Sequence, residues 1–213
     1  MSQPAIRLGV FDLRGVIGRG AVGEVWDGVH RDQDVPVAVK ILSGSGVRDR
    51  AALEAFRTEV RAVAALTHPG IILLFDHGSV DVAAAAASNG RLVAGSPYLV
   101  MELASQGALS EADCRSWAQV RYVLFSLLDA LGHAHSRDVL HRDLKPGNVV
   151  ICGEGDPRPG LKLTDFGIAR AIESRTDEGE VEVTAGTPRY MAPEQFRGRF
   201  RDAGPWTDLY ALG

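Results

Sequence analysis

Apolar and polar positions alternate over residues 11–18 (FDLRGVIG), and the pattern then breaks at glycine. Residues 23–30 (GEVWDGVH) and 35–42 (VPVAVKIL) are further short runs rich in valine. A period of two over such lengths predicts strands whose side chains point alternately to two faces. From 49 to 66 the period changes. Leu53, Phe56, Val60 and Val63 fall at i, i+3, i+7 and i+10, one face of a helix. HPGIILLFDHG (68–78) predicts a turn and a fourth strand, and SPYLVMEL (96–103) a fifth. The intervening SVDVAAAAASNGRLVAG (79–95) is long for a hairpin connection. Its alanine run fits either a short turn of helix or a disordered loop, and no function attaches to it. Five strands and one helix form a small antiparallel lobe with the helix packed on it. Residues 1–10 then stand as an N-terminal extension.

After Met101 and Glu102 the pattern becomes helical. Ser110, three positions before Asp113, is a weak N-cap signal. Residues 117–137 (WAQVRYVLFSLLDALGHAHSR) carry an apolar face long enough for five helical turns. The short runs VVIC and LKLT read as strands, and the polar, acidic stretch 171–183 as a mobile loop. The pattern therefore predicts an α+β protein of two lobes, 11–103 and 104–213, without internal repeats.

Composition narrows the function classes. With 46% hydrophobic and 23% charged residues, the 213-residue chain is globular. A net charge of −4 offers no basic field to nucleic acid or anionic lipid. Two cysteines, Cys114 and Cys152, make neither a disulfide framework nor a zinc site. The N-terminus MSQPAIRLGV lacks the features of a signal peptide, and no apolar run approaches the roughly 20 residues of a membrane span. A cytoplasmic location is expected. The 23 basic residues include three lysines only, Lys40, Lys145 and Lys162, so a retained lysine suggests a need for an ammonium group specifically.

GRGAVGEV (18–25) is a G-x-G-x-x-G. By itself it is consistent with an ordinary hairpin turn. It is also what a phosphate-binding loop requires, because backbone amides approach phosphate oxygens only where no Cβ intervenes. VWDGVH after it alternates, so the element is strand–loop–strand and not the strand–loop–helix of a dinucleotide fold. In VAVK (37–40), Lys40 sits in an apolar strand and either snorkels from the strand end or pairs with a carboxylate. On the 49–66 helix, Glu59 lies on the flank of the buried face and can reach into the lobe, whereas Glu54 lies among Arg57 and Arg61. In HRDLKPGN (141–148), Asp143, Lys145 and Asn148 fall at i, i+2 and i+5, a spacing that turns all three toward one cleft. Asp143 would accept the proton of an attacking hydroxyl, Lys145 would neutralise phosphoryl charge, and Asn148 would offer a neutral oxygen to a metal ion. TDFG (164–167) adds a second metal ligand, Asp165, with Gly167 permitting the sharp turn that aims it.

With GRGAVGEV, VAVK, HRDLKPGN, DFG and APE (192–194) in this order, the chain resembles the eukaryotic-type protein kinases in their bacterial form, from about Phe11 to the last residue. The resemblance implies a two-lobed fold: a five-stranded antiparallel N-lobe with one helix, and a mainly helical C-lobe. It implies ATP held by Ile17, Gly18, Gly20, Gly23, Val25 and Ala38, with Lys40 on its phosphates and Glu59 paired to Lys40. Met101 looks like the residue gating the adenine pocket, and the backbone of Glu102 and Leu103 resembles the hinge that binds the base. Asp143 and Lys145 are implied as catalytic, Asn148 and Asp165 as ligands of Mg²⁺, with Mn²⁺ as an alternative. Lys145 in this position is similar to serine/threonine kinases, and Thr187 looks like the threonine beside Asp143. Arg142 resembles the arginine of kinases switched by activation-loop phosphorylation, which points to Thr176 or Thr184 as the modified residue. The expected partners are ATP and proteins carrying Ser or Thr.

WTDLYALG (206–213) resembles the start of the long central C-lobe helix, and Asp208 the aspartate that braces the HRD backbone. Glu194 resembles a residue paired with an arginine beyond this stretch. On this reading the C-lobe is incomplete, which leaves two expectations: an active serine/threonine kinase, or a non-catalytic nucleotide-binding fragment acting as an interaction or decoy module. A dimer or another partner would complete the lobe.

Overall fold

The computed structural model describes residues 5–20, 23–43, 50–111, 115–167 and 188–213. They fall into two compact units, one within Met1–Val60 and Leu73–Leu103, the other within Arg61–Ile72, Ala104–Arg170 and Arg175–Gly213.

The first unit is built on one antiparallel sheet. Its strands are β1 (Ile6–Leu8), β2 (Phe11–Gly20), β3 (Gly23–His30), β4 (Val35–Leu42), β5 (Leu74–Ser79) and β6 (Pro97–Glu102), in the order β1-β2-β3-β4-β6-β5. The sheet thus has six strands rather than the expected five, because residues 6–8 belong to it. Ile6 and Leu8 pair with Leu13 and Phe11 and are buried, while Arg7 between them is exposed. A two-residue turn joins β1 to β2, with Gly9 at φ +59, a conformation that glycine adopts without a Cβ penalty. On one face of the sheet Trp26, Val37, Val39, Ile41 and Val100 form the core. Their β-branched and aromatic side chains suit a pleated surface. The 79–95 segment resolves into helix α2 (Val82–Ala87), capped by Asp81, whose carboxylate accepts the Ala84 amide at 2.7 Å. Ala84 is buried in the same core as Ile6 and Leu8. Helix α1 (Arg50–Ala64) buries Phe56, Val60 and Val63, as its period predicts, with Leu53 half-buried.

The strand expected within 68–78, β5, begins only at Leu74, because the preceding residues are claimed elsewhere. In the second unit, the Ile72 amide donates to the Leu163 carbonyl (2.9 Å) and the Leu163 amide to Gly70 (2.8 Å). Residues 70–72 thereby flank the hairpin of β7 (Val149–Cys152) and β8 (Gly160–Leu163). The main helix here is α3 (Trp117–His135). Its N-cap is Ser116, in a reciprocal box with Gln119, and not Ser110, which lies in a single 3₁₀ turn (Leu109–Glu111). Leu127, Ala130, Leu131 and Ala134 are its buried stripe. Helices α4 (Pro193–Phe196) and α5 (Pro205–Leu212) follow, each opened by proline at its first position. The 171–183 stretch lies outside the described residues. No described helix is long and apolar enough to cross a membrane.

Leu131 is 1% exposed. Leu131→Ala should therefore cost about 3 kcal/mol, and Ser116→Ala about 1 kcal/mol, in urea unfolding.

Candidate active site

In the first unit, strand register collects several expected residues on one face. Lys40 pairs with Val25 and with Leu99, and Ala38 pairs with Met101. Residues directly opposite in an antiparallel ladder, and residues two apart in one strand, share a face. Val25, Ala38, Lys40 and Met101 therefore project together from the side of the sheet opposite Val37, Val39 and Ile41. Ala38 and Met101 are buried, Val25 and Lys40 half-buried. Glu59 is half-buried on α1, whereas Glu54 is exposed and bound to Arg57 at 2.8 Å, the division its helical position predicts. Ile17 sits at an irregularity between Val16 and Gly18 and is 55% exposed.

The three glycines of the loop have different grounds. Gly23 has φ +147, and a Cβ there would collide with the Ile41 carbonyl. A Cβ on Gly18 would meet nothing closer than Val25 at 3.7 Å, and one on Gly20 no described atom within 4 Å. Among the described residues nothing demands glycine at 18 or 20, and the space outside the loop that they leave open is what close approach by a phosphate requires. At the other end of the face, Glu102 is buried and its amide is already given to the Leu73 carbonyl at 3.0 Å. Leu103 is half-buried beside it.

In the second unit the 141–148 loop is organised from below by Asp208 on α5. Its carboxylate has no solvent exposure and accepts the His141 amide (2.8 Å), the Arg142 amide (2.7 Å) and His135 Nε2–H (2.7 Å). Arg142 takes φ +62, and its carbonyl accepts from Gln195 Nε2 at 2.6 Å. The His141 ring is equally buried. Its Nε2–H donates to the Thr164 carbonyl (2.9 Å), Nδ1 accepts from the Asp143 amide (3.4 Å), and the ring packs against Phe166 at 4.7 Å. Burial pushes the His141 pKa down, against the opposing pull of Asp208, so the ring is neutral and its tautomer is fixed by these two partners.

The two oxygens of Asp143 are made unequal. Oδ2 accepts from Lys145 Nζ (2.8 Å) and from Asn148 Nδ2 (2.9 Å). Asn148 Nδ2 also donates to the Asp143 carbonyl at 2.7 Å. Two acceptors around one end of the amide force the nitrogen there and turn Oδ1 of Asn148 away as an acceptor. Asp165 is half-buried with φ +62. The left-handed residue of this turn is thus the aspartate and not Gly167, whose requirement is space, since a Cβ would lie 3.3 Å from the His141 carbonyl. The Gly167 amide donates to that same carbonyl at 2.9 Å. One neutral oxygen and one carboxylate suit Mg²⁺, which takes few protein ligands and completes its shell with phosphate and water. Thr176, Thr184 and Thr187 lie outside the described residues. Glu194 accepts from Thr207 Oγ1 at 2.6 Å. Gln195 and His135 had no signal in the sequence, because a buried polar side chain that serves a distant backbone has no characteristic spacing.

A model of the protein kinase domain matches residues 11–213. The chain belongs to the protein kinase family. It is 37% identical over 211 residues to the serine/threonine-protein kinase PknA of Mycobacterium tuberculosis, covering 96% of this chain and 45% of that protein. It is 34% identical over 220 residues to a probable serine/threonine-protein kinase PknB of Bifidobacterium longum, covering 98% and 30%. The chain thus spans less than half the length of these curated relatives. Among solved structures, the Mycobacterium tuberculosis PknI kinase domain aligns with a TM-score of 0.71 at 25% identity, over 100% of this chain and 73% of that one.

Two outcomes follow from the geometry of this kinase loop. Asp208→Ala strands the buried His141 amide and the partly buried Arg142 amide, and should lower unfolding free energy by about 3–5 kcal/mol in denaturant titration. His141 has a folded-state pKa below its unfolded value near 6.5, so its contribution is complete above that value and is lost as pH falls toward the folded pKa. Melting in urea from pH 7.5 to 5 should show stability declining, and His141→Asn should make the decline shallower by up to about 1.4 kcal/mol per pH unit.

Proposed function

We propose that this protein is a serine/threonine kinase that transfers the γ-phosphoryl group of ATP to protein hydroxyls. The observation that carries the reading is the asymmetry of Asp143, with Lys145 and Asn148 both on Oδ2 and Oδ1 left for a substrate hydroxyl. A carboxylate so oriented accepts the hydroxyl proton without rotating, and Lys145 stands where charge on the transferred group needs neutralising.

The first unit would hold ATP through the open backbone at Gly18 and Gly20, the apolar side chains of Ile17, Val25, Ala38 and Met101, and the Glu102–Leu103 stretch. Lys40 would engage the phosphates, with Glu59 as its carboxylate partner. The second unit would hold Mg²⁺ through Asn148 Oδ1 and Asp165, Mn²⁺ being an alternative. Bound metal would supply positive charge against the phosphate oxygens. Lys145 favours Ser and Thr over Tyr as acceptors by its resemblance to such kinases. Arg142, by its resemblance to the arginine of kinases switched in this way, supports regulation by a phosphate on Thr176 or Thr184, since a guanidinium is suited to an anion. Thr187 would brace the loop at Asp143. A cytoplasmic site of action fits the composition of this stretch.

Intact-mass analysis of the protein with Mg²⁺ and ATP tests this. The parent should gain phosphate on Ser or Thr, and Asp143→Asn should slow the gain by at least about 100-fold. Parent and variant reacting at equal rates, or neither reacting while folded, would exclude the reading.

A further inference from the structure

Of the three lysines in the chain, Lys40 and Lys145 belong to the proposed chemistry, and the third does not. Lys162 lies in β8 and is 0% exposed. Burying an ammonium is costly unless its hydrogens are well placed. In a chain that otherwise uses arginine for its positive charge, the retained lysine marks a position where a compact donor at the end of a straight stem is needed.

Its surroundings say what for. Lys162 Nζ donates to the Pro69 carbonyl at 2.9 Å. Beside it, Arg158 donates to the His68 carbonyl at 2.7 Å and reaches the Ile71 carbonyl at 3.5 Å. The Leu163–Gly70 and Ile72–Leu163 backbone bonds complete the seam. Residues 68–72 are thereby pinned along the strand that runs directly into Thr164, Asp165, Phe166 and Gly167. Downstream, the Thr164 amide donates to the Asn148 carbonyl at 3.0 Å, and Gly167 to His141. Asp165 is suspended between these anchors in a left-handed conformation, so a shift of β8 along its axis would be passed on to its carboxylate.

We propose that Lys162 is a positioning residue for metal binding: its bond to Pro69 fixes the placement of β8 and, through it, of Asp165 relative to Asn148. The inference rests on the kinase reading above. Lys162→Met keeps the length of the side chain and removes the donor. Losing the donor leaves the Pro69 carbonyl unsatisfied and lowers stability, and disturbing the support of a metal ligand separately weakens affinity by about 10- to 100-fold.

The test is Mn²⁺ binding with a non-hydrolysable ATP analogue, followed by electron paramagnetic resonance of free Mn²⁺, together with urea unfolding and amide hydrogen exchange. Lys162→Met should raise the Mn²⁺ Kd about tenfold under conditions where the variant is fully folded, with a lowered but still cooperative unfolding midpoint and faster exchange at the Ile72 and Leu163 amides. An unchanged Kd overturns the proposal. A variant that fails to fold also overturns it, because Lys162 would then be a stability element. Since the readout is binding, a parent that binds but transfers no phosphate defeats the kinase reading alone. A parent that does not bind Mn²⁺ defeats both.

Discussion

A carboxylate without solvent access is tolerable only when its lone pairs are met by donors, and Asp208 meets that condition by organising the loop above it. It gathers two consecutive backbone amides and one imidazole N–H. Consecutive amides converge on one acceptor group only if the backbone between them bends, and the positive φ of Arg142 is that bend. Everything chemical in the second unit follows in sequence from there: the direction of Asp143, the reach of Lys145, the grip of Asn148. The aspartate lies 66 residues after the arginine whose amide it holds. Catalytic-loop geometry in this chain is therefore a long-range property that α5 must be in place to create.

His141 performs a complementary task. A neutral ring with a settled tautomer joins the loop to the carbonyl of Thr164 and to the face of Phe166. Its own carbonyl receives the Gly167 amide. The residues proposed as proton acceptor and as metal ligands thus share one buried hub, and neither segment can move without disturbing the other's hydrogen bonds. An imidazole suits this position because it donates at one nitrogen and accepts at the other.

Much of this was legible in the sequence. The period-two and period-3.6 runs placed β2, β3, β4, β6, α1 and α3 within a few residues, because each buries one continuous face. The polar motifs named the loop residues and Asp208 by resemblance. What was not legible has common physical causes. The three residues of β1 alternate buried and exposed but are too few to establish a period. Ile71 and Ile72 look like the start of β5, but their partner is Leu163, and pairing across such a separation leaves no local trace. The alanine run of α2 is compatible with several conformations until Asp81 caps it. Gln195 and Lys162 serve backbone carbonyls, and any residue can supply a carbonyl, so their own sequence context is silent.

The order of the sheet has one further consequence, for how the molecule behaves in company. Its two edges are β1 and β5. The first is three residues long. The second, LFDHGS, carries a register irregularity between Leu74 and Asp76, with charge, imidazole and glycine following. Short, kinked and polar edges are poor templates for another chain's strand. The apolar strands β4 and β6, which would self-associate most readily if laid bare, lie in the interior of the ladder. Protection against strand-to-strand aggregation is thus written into the two least regular segments of the sheet.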